Sequence, residues 1–336
     1  MTHLVTGAAG FIGFHLARRL LDSGDRVVGL DGLTDYYDVG LKRRRLALLE
    51  THPNFSFVQA MLEDREVIGA LFRAERFDTV HHLAAQAGVR HSIEQPQAYI
   101  SANIVGTFNL LEACRRAPPR HLVFASTSSA YGANAKFPFE ETDPAIHPTT
   151  LYAATKASGE LMAHCYAHLF GVPTTAVRFF TVYGPWGRPD MSYFRFTEKM
   201  LRGEPIDVYN HGESWRDFTY VDDLVDSMLA LTALPPAAPG EGRGAPIAGD
   251  TLSPVAPYRL VNIGGGRPVR LADFIDEIEK ALGVTAMRRL LPLPPGDVVR
   301  TFASADLLER LTGGKPATPV SVGIPRFVAW YRQTFN

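Results

Sequence analysis

TGAAGFIG, residues 6–13, is the stretch that decides the fold of this chain. The apolar pair Leu4-Val5 precedes it, and an amphipathic helical pattern follows it. Strand, glycine turn and helix in this order form a dinucleotide fingerprint, because glycines let the backbone approach a pyrophosphate and a helix N-terminus supplies unpaired N–H groups. The residues predicted to contact the dinucleotide are Gly7, Ala9, Gly10, Phe11, Ile12 and Gly13.

A carboxylate after the second apolar run bears on which dinucleotide is bound. This run, residues 26–30, ends at Asp31, about 20 residues beyond the glycines, where a carboxylate can accept hydrogen bonds from an adenosine ribose. A 2′-phosphate at that place would meet like charge, so NAD is favoured over NADP. The opposing signal is the basic run KRRR at 42–45, which is typical of a solvated helix face but could also meet a phosphate.

Length and composition predict a two-lobed enzyme whose partner is a small molecule. The chain has 336 residues, 46% of them hydrophobic, and a formal charge of −1, which gives no electrostatic case for nucleic acid or an anionic membrane. Cys114 and Cys165 form neither a CxxC motif nor a disulfide framework, and no zinc site is expected. We find no room for a signal peptide before the first strand and no apolar run near the ~18 residues of a membrane span, so a cytoplasmic location is expected.

Apolar strand-like runs alternate with helical segments along the first half of the chain, as at 55–58, 79–83, 121–125 and 174–180. This alternation predicts an α/β fold with a Rossmann-type, doubly wound parallel sheet. We predict a dinucleotide-binding domain at 1–183 and a smaller substrate-binding α/β lobe at 184–336. Segments near 215–233 and 258–264 are expected to return to the first domain, with a Pro/Gly/Ala-rich loop at 234–257 between them.

A second motif, Tyr152-x-x-x-Lys156, suggests that a phenol acts as a base beside the dinucleotide. The two residues share a helix face, but an ordinary phenol with a pKa of about 10 is a poor base. One cation about 6 Å away, at an effective dielectric constant of about 20, stabilises the phenolate by about 2.8 kcal/mol, or roughly two pKa units. Lys156 together with an oxidised nicotinamide could therefore lower the pKa of Tyr152 towards neutrality. The alternative is that both residues simply cover an amphipathic helix.

Several motifs resemble those of the extended short-chain dehydrogenase/reductases that act on nucleotide sugars, and they cover nearly the whole chain. Besides the glycine turn and the Tyr-Lys pair, they are His82-Leu83-Ala84-Ala85, Tyr131-Gly132, Arg178-Phe179-Phe180 and Arg216-Asp217-Phe218. Longer strings most resemble UDP-glucuronate 4-epimerases. They are QAGVR at 86–90, VYGPWGRPDM at 182–191 and PGDV at 295–298.

The resemblance implies a mechanism and a substrate. Tyr152 would remove the C4 hydroxyl proton of a UDP-uronate while hydride leaves C4 for NAD, and Thr127 would hydrogen-bond the reacting oxygen. Hydride returned to the other face of the 4-ketose inverts C4 and regenerates NAD. The resemblance also places Leu62 and Ala84 at the cofactor, and it implies a homodimer.

Two serines separate this chain from other members of the resembled group. Related dehydratases carry Asp-Glu where this chain has Ser128 and Ser129, and related decarboxylases carry Glu at the second position. By resemblance, Ser128, Ser129, Thr181 and Arg188 would hold the uronate carboxylate; a salt bridge at the rim of the site is the alternative for Arg188. A UDP-glucose-type epimerase, a uronate decarboxylase and a non-catalytic NAD sensor remain rival interpretations.

Other residues are placed by resemblance or by their position before an element. Arg216 matches the position that meets the diphosphate, and Asp297 and the Tyr209-Asn210 pair are candidates for the nucleoside end. The carboxylates Asp217, Asp222 and Asp223 are expected to cap the following helix. His82 is expected to pack beneath the cofactor, and Asn103 to support the active-site loop.

One departure from the family pattern concerns adenine. Met61 stands where relatives usually place an Asp that recognises the adenine amino group. A backbone contact from Leu62, or a shift of the acid to Glu63 or Asp64, could compensate. The sequence leaves these alternatives open.

Overall fold

The large sheet of the protein is wholly parallel. The structure, a computed structural model, describes residues 1–240, 247–293 and 298–335. The strands are β1 (Thr2–Thr6), β2 (Arg26–Asp31), β3 (Phe55–Gln59), β4 (Thr79–His82), β5 (His121–Thr127), β6 (Thr174–Phe179), β7 (Thr181–Tyr183), β8 (Ile206–Tyr209), β9 (Trp215–Tyr220), β10 (Tyr258–Ile263), β11 (Pro268–Arg270), β12 (Arg288–Leu291) and β13 (Arg300–Thr301). Seven of them pair in the order β10-β6-β5-β4-β1-β2-β3.

Helices cover both faces of this sheet, so the predicted doubly wound fold is confirmed. The helices are α1 (Phe11–Asp22), α2 (Val39–Leu49), α3 (Arg65–Ala74), α4 (His91–Glu94), α5 (Pro96–Tyr99), α6 (Thr107–Arg116), α7 (Leu151–Phe170), α8 (Ser192–Leu201), α9 (Val221–Thr232), α10 (Leu271–Leu282), α11 (Asp306–Thr312) and α12 (Val320–Phe335). A π-helix, Ile100–Gly106, precedes α6, and short 3₁₀ helices span Ser128–Tyr131 and Asn210–Gly212. Within the described ranges, no helix is long and apolar enough to cross a membrane.

Burial on both faces explains why the central strands show no alternation of buried and exposed positions. Strands β4, β5 and β6 are buried at every position, as expected where helices cover a parallel sheet. One core cluster joins the sheet to α1 and α9, and a second joins its other face to α3, α6 and α7. The strand order reverses between β1 and β4, where open α/β sheets bind ligands at their carboxyl edge.

The C-terminal lobe has its own sheets and an aromatic core. Strand β9 pairs with β7, β11 and β13, while β8 pairs with β12. The structure differs here from the prediction that residues 215–233 return to the first domain. Only the helical part does so, since α9 packs against α1 whereas β9 belongs to the small sheet. Segment 258–263 does join the large sheet, as its edge strand β10.

The three carboxylates expected to cap α9 do not do so. Within the described part of the chain, no side-chain capping hydrogen bond is made at Tyr220, the N-cap residue of α9. Asp217 is buried and accepts from the backbone N–H groups of Gly265 and Gly266, each at 2.9 Å. Asp223 accepts from the backbone of Thr318 at 2.7 Å. Their partners are distant in sequence, so local capping rules could not identify them.

Buried neutral histidines lie within the sheet. His81 is fully buried in β4 and stacks on His3, with ring centroids 5.6 Å apart. Among the residues that the structure describes, neither ring nitrogen of His81 has a hydrogen-bond partner. Burial, together with repulsion from His3 and His121, holds the pKa of His81 well below its usual value. The folded state therefore keeps this imidazole neutral.

We predict that acid destabilises the protein partly through His81. Because the folded pKa is lowered, the unfolded chain binds the extra proton, so the free energy of unfolding falls as pH drops below the unfolded value of about 6.5. Each such histidine contributes up to about 1.4 kcal/mol per pH unit. In denaturant titrations between pH 6.5 and 4.5, His81→Leu should make this slope shallower by about that amount. The same change at exposed His147 is the control, and equal slopes for His81→Leu and the parent would contradict the prediction.

Candidate active site

The carboxyl ends of β1 and β4 lie in close contact and form the floor of the site. The Thr6 hydroxyl, at the end of β1, accepts from the backbone N–H groups of Leu83 and Ala84 at 3.1 and 3.0 Å. Gly7 follows with a φ of 73°, and a Cβ there would lie 2.9 Å from the Ala84 nitrogen. A Cβ on Gly13 would lie 2.1 Å from the Gly7 carbonyl oxygen. This turn therefore requires glycine for its close backbone approach.

The glycine turn leads into α1, whose N-terminus borders a deep cavity. Gly10 is the N-cap residue and adds no side-chain cap, so the first N–H groups of α1 remain available to an anion. Gly7, Gly10, Phe11, Ile12 and Gly13 line the cavity, as do Leu62 and Ala84. Ala9 is fully buried behind this surface, where its N–H donates to Asp31 at 3.1 Å. The turn fits a pyrophosphate held by backbone N–H groups.

Asp31 occupies the place predicted for the ribose carboxylate. It ends β2, lines the same cavity, and accepts at Oδ1 from the Leu33 N–H at 2.8 Å. Both oxygens are thus oriented by the backbone, so the side chain has a fixed direction. An oriented carboxylate beside the glycine turn fits an adenosine ribose with a free 2′-hydroxyl.

The basic run at 42–45 is not the solvated helix face that its composition suggested. Lys42 and Arg45 are buried, whereas Arg43 and Arg44 are exposed. Lys42 lines the cavity and donates through Nζ to the Thr34 carbonyl at 2.6 Å. Burial lowers the pKa of Lys42, and the nearby Asp31 charge opposes that effect. The basic run at 42–45 therefore has one buried side, which lies at the site.

Arg45 links the glycine turn to a loop of the other lobe. Its Nη1 donates to the Ala9 carbonyl at 2.9 Å, and its Nη2 donates to the carbonyls of Trp186 and Gly187 at 2.6 and 3.0 Å. The guanidinium is fully buried, and the Tyr37 hydroxyl accepts from it at 2.8 Å. This role of Arg45 could not be predicted from the sequence, because a basic run does not indicate which of its side chains turns inward.

Tyr152, Lys156 and Thr127 converge at the far end of the same cavity. Helix α7 begins after Thr150, whose hydroxyl accepts from the Ala153 N–H, and its first turns carry Tyr152 and Lys156. Thr127 ends β5 beside them and hydrogen-bonds the phenol, which lowers its pKa in part. Lys156 is buried with Nζ 4.5 Å from the centroid of the Phe124 ring. The three predicted catalytic residues are therefore together.

The protein alone raises the pKa of Tyr152, and the lowering expected from Lys156 together with an oxidised nicotinamide stays a prediction. Burial raises it above the ordinary value, and this outweighs the Thr127 hydrogen bond and the Arg188 charge. Burial also lowers the pKa of Lys156 to about 8, opposed by the Glu160 carboxylate. The sequence estimate omitted this desolvation. Further positive charge beside the phenol, such as that of an oxidised nicotinamide, would favour the phenolate.

A buried ion pair beneath these residues was not identified from sequence. Glu160 follows Lys156 by one helical turn and accepts from Arg178 at 2.9 and 2.7 Å in a bidentate pair. The Ser126 hydroxyl donates to the same carboxylate. Arg178 also lies 4.3 Å from the centroid of the Tyr131 ring. The i, i+4 spacing of Lys156 and Glu160 was a usable signal, and the pair fixes β5, β6 and α7 together.

Ser128, Ser129, Thr181 and Arg216 line a second cavity rather than the first. Its volume of about 660 Å³ lies in the range of small-molecule sites, ~300–1,000 Å³. The two cavities adjoin at the end of β5, because Thr127 lines the first cavity and the next residue, Ser128, lines the second. Arg216 donates through Nη2 to the Val298 carbonyl at 2.7 Å, which orients its guanidinium in the wall.

Arg188 lies in the wall of the first cavity, paired with an acid. Its Nε and Nη2 donate to Asp190 at 3.0 and 2.6 Å, and the Tyr36 hydroxyl donates to Asp190 at 3.0 Å. The salt bridge considered as an alternative for Arg188 is therefore present. The pair is not at an open rim, however, because the Arg188 side chain is only 22% exposed. Its charge is also close enough to lower the pKa of Tyr152 in part.

The structure describes all but one of the remaining predicted site residues. Asp297 lies outside the described residues. Asn103, in the π-helix, accepts from the Gln86 N–H at 2.8 Å and donates to its carbonyl at 3.0 Å, so it supports the loop at 86–90. His82 Nδ1 lies 2.9 Å from the Thr6 hydroxyl, and burial lowers the pKa of His82 to about 3. Within the described ranges, no cluster of metal-ligating side chains occurs.

Comparisons with known proteins agree with this geometry. Residues 3–241 match the model of the NAD dependent epimerase/dehydratase family. A "Probable UDP-glucuronate 4-epimerase" of Rhizobium meliloti (strain 1021) is 56% identical over 100% of this chain and 98% of its own. Among solved structures, UDP-glucuronic acid 4-epimerase from Bacillus cereus, in complex with UDP-glucuronic acid and NAD, has a TM-score of 0.87 and 33% identity, with both chains covered fully. The UDP-glucose 4-epimerase of Thermotoga maritima has a TM-score of 0.85 and 30% identity, also with full coverage.

Proposed function

Because the chain belongs to the NAD dependent epimerase/dehydratase family, we propose that it is an isomerase that converts UDP-glucuronate to UDP-galacturonate by inverting C4. The observation that carries this proposal is the meeting of Thr127, Tyr152 and Arg188 in one cavity with the glycine turn. A base, a hydroxyl partner and a carboxylate-binding guanidinium are thereby brought to the end of a dinucleotide site.

The cofactor is NAD, and the residues present fit it. Gly7, Gly10 and Gly13 would hold the pyrophosphate against the N-terminus of α1, and Asp31 would hold the adenosine ribose. When bound, NAD supplies the acceptor and later the donor of the hydride at C4 of the sugar. Lys156 lies at the nicotinamide end, beside Tyr152.

Tyr152 is the proposed base and acid. In the oxidative half of the reaction, the Tyr152 phenolate takes the proton of the C4 hydroxyl. The C4–O single bond becomes the carbonyl double bond of a ketone as C4 loses a hydride. After the sugar turns over, C4 regains hydride on its other face and Tyr152 returns the proton to the new alkoxide. The Thr127 hydroxyl holds the reacting oxygen in both halves, and the reaction is redox-neutral overall.

The uronate carboxylate is the group that we assign to Arg188. A planar guanidinium can hold a carboxylate through charge-assisted hydrogen bonds, and hydroxyl groups can complete the set. Ser128, Ser129 and Thr181 line the adjoining cavity, so a sugar at the junction can reach them. Arg216, in the same cavity, is assigned to the diphosphate, where a fixed guanidinium suits anionic oxygens.

The serines also bear on side reactions of a 4-keto uronate. Elimination of water needs a general acid and a base, and Ser128 and Ser129 are poor candidates for both. Loss of CO₂ requires the carboxylate to stand perpendicular to the ketone. We assign to Arg188 the role of holding that carboxylate away from this orientation.

One observation favours a second candidate, epimerisation of a neutral hexose nucleotide. Asp190 already holds Arg188 in a bidentate pair, and this neutralises the guanidinium charge on the cavity wall. A uronate must then share Arg188 with Asp190, whereas a neutral sugar need not. The substrate test below separates the two candidates.

We also propose that two copies of the chain associate through α6 and α7. These helices are neighbours, since the Tyr166 hydroxyl donates to Glu112 at 2.7 Å. On α7, Leu161 and Leu169 are 74% and 61% exposed and lie on one face with exposed Cys165. An apolar stripe of this kind is costly to leave in water, and a second copy presents a matching one. An exposed free thiol at this face also favours a reducing, cytoplasmic compartment.

The first test incubates the purified full chain with UDP-glucuronate and no added NAD, followed by NMR and mass spectrometry. We expect a C4 epimer of unchanged mass. Tyr152→Phe should lower turnover by about 10²-fold or more, since it removes the general base, while bound NAD measured after denaturation stays the same. A pentose nucleotide with CO₂ would identify a decarboxylase instead. Near-full turnover by Tyr152→Phe with NAD bound would reject this base.

The second test concerns substrate charge. Arg188→Ala should weaken UDP-glucuronate binding by about tenfold or more, the usual loss for a hydrogen-bonded charge, with a much smaller effect on UDP-glucose. Calorimetric titration of the full chain with each nucleotide measures both. Equal losses for the two nucleotides would show that Arg188 supports the wall and does not read the carboxylate.

The third test concerns assembly. Light scattering after gel filtration should give a dimeric mass for the parent and a monomeric mass for Leu161→Glu, because the new charge is buried at the interface. Leu290→Glu is the matched control, since Leu290 is 55% exposed on β12 in the other lobe. A monomeric parent, or a dimeric Leu161→Glu variant, would exclude this interface.

A further inference from the structure

The acid that pairs with Arg188 has no part in the reaction as described above. Asp190 accepts from Nε and Nη2 of Arg188 at 3.0 and 2.6 Å, and its Oδ2 also accepts from the Tyr36 hydroxyl at 3.0 Å. Both Arg188 and Tyr36 line the first cavity. A carboxylate of the protein therefore occupies one edge of the guanidinium that we assign to the uronate.

A tight turn of the backbone builds this pair. The Met191 N–H donates to the Arg188 carbonyl at 3.2 Å, which closes a turn over residues 188–191. Pro189 occupies the second position of the turn, where its ring presets φ. The two charged side chains thus project from one short, fixed segment, and Asp190 has little freedom to leave Arg188.

The Asp190 carboxylate is ionised. Burial raises its pKa, but the Arg188 charge and the hydrogen bonds from Arg188 and Tyr36 hold that pKa below its ordinary value. The side chain of Arg188 is 22% exposed and that of Asp190 is 27% exposed, so water screens the pair only in part. The guanidinium therefore presents to the cavity a charge that is already partly balanced.

A guanidinium can serve two carboxylates, but they compete. Asp190 engages one edge of the Arg188 fork, through Nε and Nη2. A second carboxylate could bind at the other edge, because the planar fork carries N–H donors on each side. It would share the guanidinium with Asp190 and would be repelled by the Asp190 charge.

Inversion at C4 limits how firmly the uronate carboxylate can be held. Hydride leaves and returns on opposite faces of C4, so the ketose must turn over between the two halves of the reaction. The carboxylate on C5 moves with the ring, and its contacts must loosen during this turn. An interaction that stabilises the bound sugar more than the turning sugar slows the reaction.

We propose that Asp190 is a positioning residue that limits how tightly Arg188 holds the uronate carboxylate, so that the 4-keto sugar can turn over. Asp190 does this by sharing the guanidinium and by repelling the second carboxylate. Arg188 remains oriented by the pair, so it still directs the carboxylate of the sugar. This inference rests on the proposed function, with a uronate substrate and Arg188 as its partner.

The sign of a change in affinity tests the proposal. Calorimetric titrations use the full chain with NAD bound, in a Tyr152→Phe background in which the nucleotide is not consumed. Asp190→Asn keeps an oxygen acceptor and removes the charge, so it should bind UDP-glucuronate about tenfold more tightly, the scale of a partly screened pair of like charges. Its affinity for UDP-glucose, which has no carboxylate, should match that of the background. Structural damage would weaken both, so it cannot produce this result.

Turnover with Tyr152 intact gives the second readout. Asp190→Asn should lower kcat and KM for UDP-glucuronate together, because the tighter binding of the sugar is not matched as it turns. Asp190→Ser also removes the charge and keeps an acceptor, so it should behave in the same way if Asp190→Asn does not fold. Asp250→Asn is the matched control, since Asp250 accepts from Arg259 on β10 in a bidentate pair at 2.9 and 3.0 Å. This control should keep the parent's affinities and kinetics.

Three outcomes would overturn the proposal. They are an unchanged affinity of the Asp190 variants for UDP-glucuronate, a weaker affinity for both nucleotides, and tighter binding with an undiminished kcat. Failure of the proposed function is a different result, in which the parent gives no C4 epimer of UDP-glucuronate or Arg188→Ala loses both nucleotides equally.

Discussion

The buried guanidinium of Arg45 is the contact on which the arrangement of the site depends. It binds the Ala9 carbonyl in the glycine turn and the carbonyls of Trp186 and Gly187 in the loop that precedes Arg188. Each of those carbonyls is buried or partly buried, and an unsatisfied one costs about 1–3 kcal/mol. One side chain therefore fixes the cofactor turn relative to the loop that carries the proposed carboxylate-binding residue. Neither lobe could shift without leaving polar groups unpaired.

The rest of the site is held together where the parallel strands end, at one edge of the large sheet. Thr6 ties the end of β1 to the end of β4, and Asn103 ties the loop after β4 to the π-helix. The Glu160–Arg178 pair, with Ser126, holds the end of β5 below α7. These polar contacts are buried, and they hold the edge where the chemistry requires fixed distances, while Arg178 Nη1 has no hydrogen-bond partner among the described residues. The apolar cores on either face supply most of the stability, and the polar contacts supply the alignment.

Much of the fold was predictable from sequence, because hydrophobic period and glycine spacing are local signals. The parallel sheet, the glycine turn and the placement of Tyr152 beside Lys156 all followed from such patterns. Residues whose partners are distant were not predictable. Arg45 was interpreted as a solvated residue and Asp217 as a helix cap, and for Arg188 a rim salt bridge, with no partner named, was only the alternative. For Arg45 and Asp217 the partners are backbone groups that tertiary structure brings near, and no spacing rule encodes them, whereas Asp190 is only two residues from Arg188.

The electrostatics of Tyr152 and Lys156 explain why the base depends on its ligand. Burial raises the pKa of the Tyr152 phenol and lowers that of the Lys156 ammonium to about 8, so at neutral pH the phenol stays protonated while most of the ammonium keeps its charge. Glu160, one helical turn further on, opposes this for Lys156 and keeps its charge available. Among the residues that the structure describes, the Thr127 hydrogen bond and the Arg188 charge lower the pKa of Tyr152 in part. The positive ring of an oxidised nicotinamide would supply further charge that favours proton removal from the sugar by Tyr152, and this would couple the proposed base to the oxidised state of the cofactor.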